Sequence, residues 1–331
     1  VLTVPALEDP HAQRQQDRHW YGSQVLVTGA TGFIGARLVE RLGSLGAQVH
    51  AVSRSPREGA GHGETWHVAD VSDAGAVEDL VRSTRPAVVF HLASEVAGAR
   101  DPQLVRPMLD SNLASVVNLL TAVAGSPGTR VVLAGSLEEP RPAEGETAPS
   151  SPYAVAKWAA SGYARMFHHL WDVPVTTLRI GMVYGPGQHD TRKLVPYVTL
   201  SLLRGEAPSL SSGTRQLDWV YVDDVVDAFL AAGMTPEAAG LSLDIGTGTR
   251  TSIRDTVELL GRIIGGPARP RYGAISDRPL DSARIADIAP AAEVLRWRPV
   301  TGLEEGLRLT TAWYAERLRR DGTATAAGTA P

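Results

Sequence analysis

The chain has 331 residues, long enough for one large domain or two closely associated ones. A formal charge of −4 gives no basic field for a polyanion, so nucleic-acid binding is not expected. The absence of cysteine excludes disulfides and thiolate metal sites. The adjacent His168 and His169 cannot converge on one ion from a helix, so no metal site is expected.

Residues 1–23 have neither the basic n-region nor the apolar h-region of a secretory signal, and no periodicity, which predicts a mobile N-terminal arm. No apolar stretch approaches the ~20 residues of a membrane span, and a cytoplasmic location is expected. "QVLVTGA" reads as a strand that runs through a glycine turn into the helical pattern "FIGARLVERLGSLG". "AQVHAVSRS" is a second strand, and a third precedes "VADVSD". "AVEDLVRSTRP", "DSNLASVVNLLTAVAGS" and "SPYAVAKWAASGYARMFHHLW" are helices, the last with Pro152 near its first turn. They alternate with the apolar strands "AVVFHLAS", "TRVVLAGS" and "VPVTTLRIGMVYG". Alternating helices and non-alternating apolar strands predict an α/β fold with a Rossmann-like, doubly wound parallel sheet.

After Gly185 the rhythm changes to a loop and one helix, which predicts a smaller, discontinuous C-terminal substrate-binding lobe. "LSLDIGTG" and "SIRDTVELLGRIIG" read as a return to the sheet. The dinucleotide-binding domain is therefore expected over 24–183 and 224–265, the lobe over 184–223 and 266–320, and a disordered tail over 321–331. Ligands of such sheets sit beyond the carboxyl ends of the strands, here expected between the two parts.

The turn "TGATGFIG" spaces Gly29, Gly32 and Gly35 as GxxGxxG between a strand and a helix. With Thr31, Phe33 and Ile34 it forms a loop whose free amides and positive helix end favour a pyrophosphate. An NAD-selective site places a carboxylate at the end of the second strand, whereas this chain has Ser53 and Arg54, suited to a 2′-phosphate. NADP (as NADPH) is therefore expected ahead of NAD. Asp70 and Val71 are placed to hold the adenine edge, and Leu92, Ala93 and Ser94 to lie under the cofactor.

Tyr153 and Lys157 in "YAVAK" are four apart, on one helical face, and Ser136 closes the strand "VVLAGS". A phenol titrates near pH 10, and a neighbouring ammonium lowers that value, so the set reads as a general acid-base with a serine donor to the substrate oxygen. With "TGATGFIG", "HLAS", "SPYAVAK", "LRIGMVYGPGQ", "DWVYVDDVVDA" and "VLRWRPVTGLEEGLRLTTAWY", the chain resembles the extended short-chain dehydrogenase/reductase superfamily over Gln24 to Arg320. The nucleotide-sugar-modifying epimerase/dehydratase branch is the one it resembles.

That resemblance implies catalytic Ser136, Tyr153 and Lys157, the last also holding the nicotinamide ribose, a nucleoside-diphosphate sugar substrate and a homodimer built on helices 110–123 and 154–167. Trp158 reads equally as interface or core. Dehydratases of the family follow a threonine with an acid and a base, and here Leu137 stands in the acid's place, which disfavours dehydration. Glu138 reads either as a base near the sugar or as a solvated carboxylate. Met182 and Leu217 replace an asparagine and an arginine of relatives, with Arg215 on the same face two residues before Leu217. Lys193, Leu194 and Val195 fall where the nucleotide base is held, and Arg278 matches a diphosphate arginine. Arg192 reads as a surface charge.

The NADP reading favours NADPH-dependent reduction of a nucleoside-diphosphate 4-keto-6-deoxyhexose at C4. The alternatives are a 4-epimerase that keeps NAD bound, a reductase of a small non-nucleotide ketone, and a non-catalytic NADP-binding regulator.

Overall fold

The computed structural model describes residues 19–57, 63–96, 100–141, 148–277 and 284–327. The chain divides into two compact units. One comprises the described residues up to Ile180, Val225–Ile245 and Asp287–Val300; the other comprises Gly181–Asp224, Gly246–Ala286 and the described residues from Thr301.

The first unit is built on seven strands. They are β1 (Gln24–Thr28), β2 (Gln48–Ser53), β3 (Thr65–Val68), β4 (Val88–His91), β5 (Arg130–Ser136), β6 (Val175–Ile180) and, after the excursion of β7 (Met182–Tyr184), β8 (Gln216–Leu217) and β9 (Trp219–Tyr221), β10 (Ser242–Ile245). The sheet order is β10-β6-β5-β4-β1-β2-β3, and every pairing is parallel. Strand order reverses between β1 and β4, where successive crossovers depart in opposite directions and leave a crevice at the strand ends. The β1–β4 register pairs Thr28 with His91, so both loops at that crevice start level.

β1, β4 and β5 are almost wholly buried, as non-alternating apolar strands covered on both faces must be. Leu26, Val89, Leu120, Val131 and Val175 join helices Ala74–Thr84, Ser115–Ala124 and Pro152–Trp171 in one core cluster. β10 pairs with β6, so the chain returns to the sheet as its apolar pattern predicts.

Five expectations change. The run "VPVTTLRIGMVYG" is not one strand: β6 ends at Ile180, opposite Ile245, and the Met182 amide donates to the Asp218 carbonyl at 2.8 Å, so β7 pairs with β9 in the second unit. Helix Ile253–Ile264 packs in the second unit, because Val257 and Leu260 join Val195, Leu202, Leu217, Trp219 and Leu307 there. Segment Asp287–Val300 packs in the first unit instead. The helix Leu303–Ala327 runs on past Arg320, into the span expected as tail.

The fifth change concerns the arm. Residues 1–18 lie outside the described residues, but Trp20 has no exposed surface. Its ring lies 5.8 Å from Phe90, and Gly233 leaves the room: a Cβ there would stand 2.8 Å from both rings. Residues 19–23 therefore belong to the first unit, held there by the buried indole together with backbone bonds from the Gly22 amide to the Gly46 carbonyl at 2.8 Å and from the Gln48 amide to the Ser23 carbonyl at 2.9 Å. Among the described residues no helix is long and apolar enough to cross a membrane.

Emptying the Trp20 site tests this packing. Trp20→Ala should destabilise the chain by about 3–5 kcal/mol, read as a thermal midpoint several degrees lower; an unchanged midpoint would show that the indole contributes no packing.

Candidate active site

The glycine loop leaves β1 at Gly29, whose φ of +67° is open to glycine at little cost. A Cβ there would stand 2.6 Å from the Leu92 and Ala93 backbone, so the loop lies directly on the end of β4. Gly35 serves a different contact, since a Cβ on it would stand 2.1 Å from the Gly29 carbonyl. Gly32 caps the helix Phe33–Ser44 with no side-chain hydrogen bond and no acidic residue in the first turn. Thr31 and Gly32 are exposed, and the first amides of that helix are left to an anion. This arrangement fits the pyrophosphate of a dinucleotide.

The wall beneath is a hydrogen-bonded chain. The Ser115 hydroxyl donates to the Ser111 carbonyl at 2.7 Å and thus accepts from His91 Nε2 at 3.2 Å. His91 Nδ1 is then the acceptor for the Thr28 hydroxyl at 2.9 Å, and Thr28 Oγ1 takes the Ala93 amide at 3.3 Å. Burial, reinforced by the charge of Lys157, pushes the His91 pKa down to about 3, so the imidazole is neutral and structural.

Asn112 clamps the same loop. Its carbonyl oxygen accepts from the Ser94 hydroxyl at 2.7 Å and the Glu95 amide at 2.9 Å, and its amide donates to the Glu95 carbonyl at 3.0 Å. Asn112 is fully buried in a π-helical turn, Asp110–Ala114, where the helix is locally widened. Sequence reasoning passed over it, because it is one of two asparagines, with Asn118, in the same apolar helical pattern.

The cofactor-edge residues are mixed. Asp70 Oδ1 accepts from the Ser72 amide at 2.9 Å and hydroxyl at 2.7 Å, bonds that hold its carboxyl below the usual range. Val71 packs against the core cluster of the first unit. Arg54 is exposed at the end of β2, but Ser53 is buried and its hydroxyl donates to the Ser55 carbonyl, which occupies its proton in the local turn.

Ser136 ends β5, and Tyr153 and Lys157 lie on the first turns of helix Pro152–Trp171. That helix starts where the Ser151 hydroxyl accepts the Ala154 amide at 3.1 Å, with Pro152 at its first position. The structure brings the three together: Tyr153 hydrogen-bonds Ser136, and Lys157 Nζ lies 5.8 Å from the tyrosine ring centre. The Glu138 amide donates to Ser136 Oγ at 3.1 Å, which fixes the serine, and the half-buried Glu138 side chain adds negative charge near Tyr153.

One electrostatic expectation is reversed. Tyr153 is pushed above its ordinary value, first by burial and then by the charge of Glu138, against the pull of the Ser136 bond. Lys157 donates to the Ala134 carbonyl at 2.7 Å, and burial lowers it to about 8 while Glu139 opposes that fall. The lysine is thus bound to strand β5 rather than to the phenol oxygen, and Tyr153 is a neutral proton donor in this geometry.

The other candidates belong to the second unit or lie outside the described residues. Val195 is 2% exposed within the core of that unit, because it faces inward from helix Leu194–Leu203, so its side chain cannot line a base pocket. Leu194 and Met182 are half-buried against the same cluster, and Leu217 lies within it. Lys193 caps that helix through its backbone. Arg215 is half-buried, and its carbonyl accepts the Ile253 amide at 3.0 Å. Arg192 pairs with Asp190 at 2.8 Å on the surface, as a plain surface charge does. Arg278 lies outside the described residues.

Residues 25–246 match the NAD dependent epimerase/dehydratase family. A UDP-glucose 4-epimerase of Mycolicibacterium smegmatis is 33% identical over 89% of this chain and 99% of its own length. The crystal structure of a UDP-glucose 4-epimerase of Thermotoga maritima with UDP-glucose superposes with a TM-score of 0.80 at 29% identity, covering 89% of this chain and 99% of that one. A Thermus thermophilus UDP-glucose 4-epimerase in complex with NAD gives a TM-score of 0.74 at 28% identity, over 88% and 98% of the two chains. The site and these matches together place the chain in the NAD dependent epimerase/dehydratase family.

Proposed function

We propose that the protein is a 4-epimerase of nucleoside-diphosphate sugars that keeps NAD bound through its cycle. The observation that carries this reading is the end-to-end likeness to the M. smegmatis UDP-glucose 4-epimerase. NAD is favoured over the NADP expected from Ser53 and Arg54, because the family is named for NAD and the Ser53 hydroxyl is engaged by Ser55. The glycine loop and the start of helix Phe33–Ser44 would hold the pyrophosphate, Asp70 the adenine edge and Lys157 the nicotinamide ribose. NAD supplies a hydride acceptor that can return the hydride.

The chain's own residues do the proton chemistry. Ser136 donates to the oxygen on C4, and Tyr153 takes the hydroxyl proton as C4 is oxidised to a ketone. After the ketone turns over, Tyr153 gives the proton back as hydride returns to the other face. No net redox change results. For the first step Tyr153 must be the phenolate, its own proton released to solvent beforehand, and the positive charge of an oxidised nicotinamide would favour that ionised form. Leu137 is 4% exposed and supplies no acid, in keeping with epimerisation rather than dehydration.

Reduction of a 4-keto-6-deoxy sugar nucleotide is the second reading, favoured by the exposed Arg54 and the lack of a carboxylate beside it. We also infer a homodimer through the helices at 105–124 and 152–171, on which Leu109, Val155, Trp158 and Tyr163 are all exposed. That exposure removes the core reading of Trp158.

Three measurements test these readings. Purified protein given UDP-glucose and no added cofactor should form the C4 epimer by proton NMR while absorbance at 340 nm stays flat. Failure with UDP-, dTDP-, GDP- and CDP-hexoses, alongside NADPH-consuming reduction of a 4-keto-6-deoxy sugar nucleotide, would replace epimerisation with reduction. Tyr153→Phe should lower kcat by about 10²- to 10⁴-fold with sugar-nucleotide binding retained; undiminished turnover would remove Tyr153 from the chemistry. Light scattering should give twice the monomer mass, falling towards the monomer in Trp158→Glu; a monomeric parent protein would refute the helical interface.

A further inference from the structure

Two adjacent glutamates follow the serine strand, and they look alike in sequence but not in the fold. Glu138 is half-buried, whereas Glu139 is 3% exposed. Glu139 Oε1 accepts the backbone amide of Ser136 at 2.8 Å, and Oε2 accepts the Ser161 hydroxyl at 2.7 Å. Ser161 lies one helical turn beyond Lys157, as Lys157 lies one turn beyond Tyr153, so all three share a face. Lys157 and Ser161 line a void with Ala134, Gly135 and Thr177 that has room for about one water.

Gly135 is what admits the carboxylate. A Cβ on that residue would stand 2.7 Å from Glu139 Oε1 and 2.8 Å from Thr177 Cγ2. A charge this deep is costly unless it is bonded and opposed. Both oxygens accept hydrogen bonds, and two cations face it, Lys157 from the helix and Arg179 from β6. Arg179 is shared with Asp244 at 2.8 Å, and Arg141 pairs with the other oxygen of Asp244 at 2.5 Å. The remaining charged or titratable groups here are Tyr153 on the helix, Glu138 in the same loop and His91 on β4.

We propose that Glu139 is a positioning residue of the active site, fixing the strand end that carries Ser136 and supplying the buried negative charge that faces the Lys157 ammonium. Burial pushes the Glu139 carboxyl up, while the Ser136 amide, the Ser161 hydroxyl and the two cations act against it. Its charge in turn raises both Lys157 and Tyr153. Without it, Lys157 would lose its proton at lower pH and Tyr153 would ionise more readily. The catalytic consequence rests on Ser136, Tyr153 and Lys157 being the site of the proposed reaction; the charge relation itself does not.

The chain has only two lysines, Lys157 and Lys193, which makes the test direct. In full-length protein labelled with ¹³C-lysine, two side-chain Cε signals are expected, assigned with Lys193→Arg and followed through a pH titration. Glu139→Gln keeps the shape and removes the charge, and should lower the Lys157 midpoint by roughly one unit with Lys193 unmoved. An unchanged Lys157 midpoint in a folded Glu139→Gln protein overturns the proposal. Should that variant not fold, Glu139→Asp carries the test, since it keeps the charge: its Lys157 midpoint should stay near the parent value, and a fall of a full unit would overturn the proposal.

The kcat–pH profile of Glu139→Gln should move the same way, to lower pH, where a purely structural defect would lower kcat equally at every pH. A shifted lysine midpoint in a protein without epimerase activity would uphold Glu139's role and refute the proposed reaction alone.

Discussion

The parallel pairing of β1 with β4 is the constraint on which the site depends. Strand order reverses there, so neither crossover helix covers the strand ends, and the glycine loop and the loop after His91 meet in the gap. The contact is too close for side chains. Gly29 lies against the Leu92 and Ala93 backbone, and Gly35 lies against Gly29. The polar groups at this seam are joined to one another through Thr28, His91 and Ser115, which keeps it rigid without leaving buried donors unmet.

The next strand carries the first of the proposed catalytic groups. β5 delivers Ser136, and the helix after it lays Tyr153, Lys157 and Ser161 along one face towards that strand. Low dielectric governs how these groups behave. Burial raises the tyrosine and lowers the lysine, so each is driven towards its neutral form. Glu139 and Arg179 bring opposing charges into the same interior, and Asp244 anchors the arginine. Ser136, Tyr153 and Lys157 are thereby set in an electrostatic surrounding that Glu139 and Arg179 help to define.

The second unit has its own core of aromatic and aliphatic side chains, including Tyr184, Trp219 and Tyr221, whose rings meet edge to face. Gly306 allows the Tyr184 hydroxyl to approach its helix, since a Cβ there would stand 2.3 Å away. Buried Asp218 holds the turn at Thr247 and Gly248 and the Ala286 amide. Val195 and Leu217 are committed to this core, which is why positions matched by family pattern to nucleotide contacts do not all offer side chains to a ligand.

Local pattern in the sequence determined the strands and helices of the sheet, the glycine turn, and the set of Ser136, Tyr153 and Lys157, because each depends on spacing within one element or on one turn. Only tertiary structure decided the rest. The division of "VPVTTLRIGMVYG" between two sheets depended on where its partner strand ended, and the burial of Trp20 on a space left by Gly233 far along the chain. Asn112 acquired its role from a π turn that no periodicity reveals. Glu138 and Glu139 are chemically identical in sequence, and their different surroundings come from the strand, helix and arginine that close around one of them. Burial and charge at a site are sums over distant residues, which the order of residues along the chain does not express.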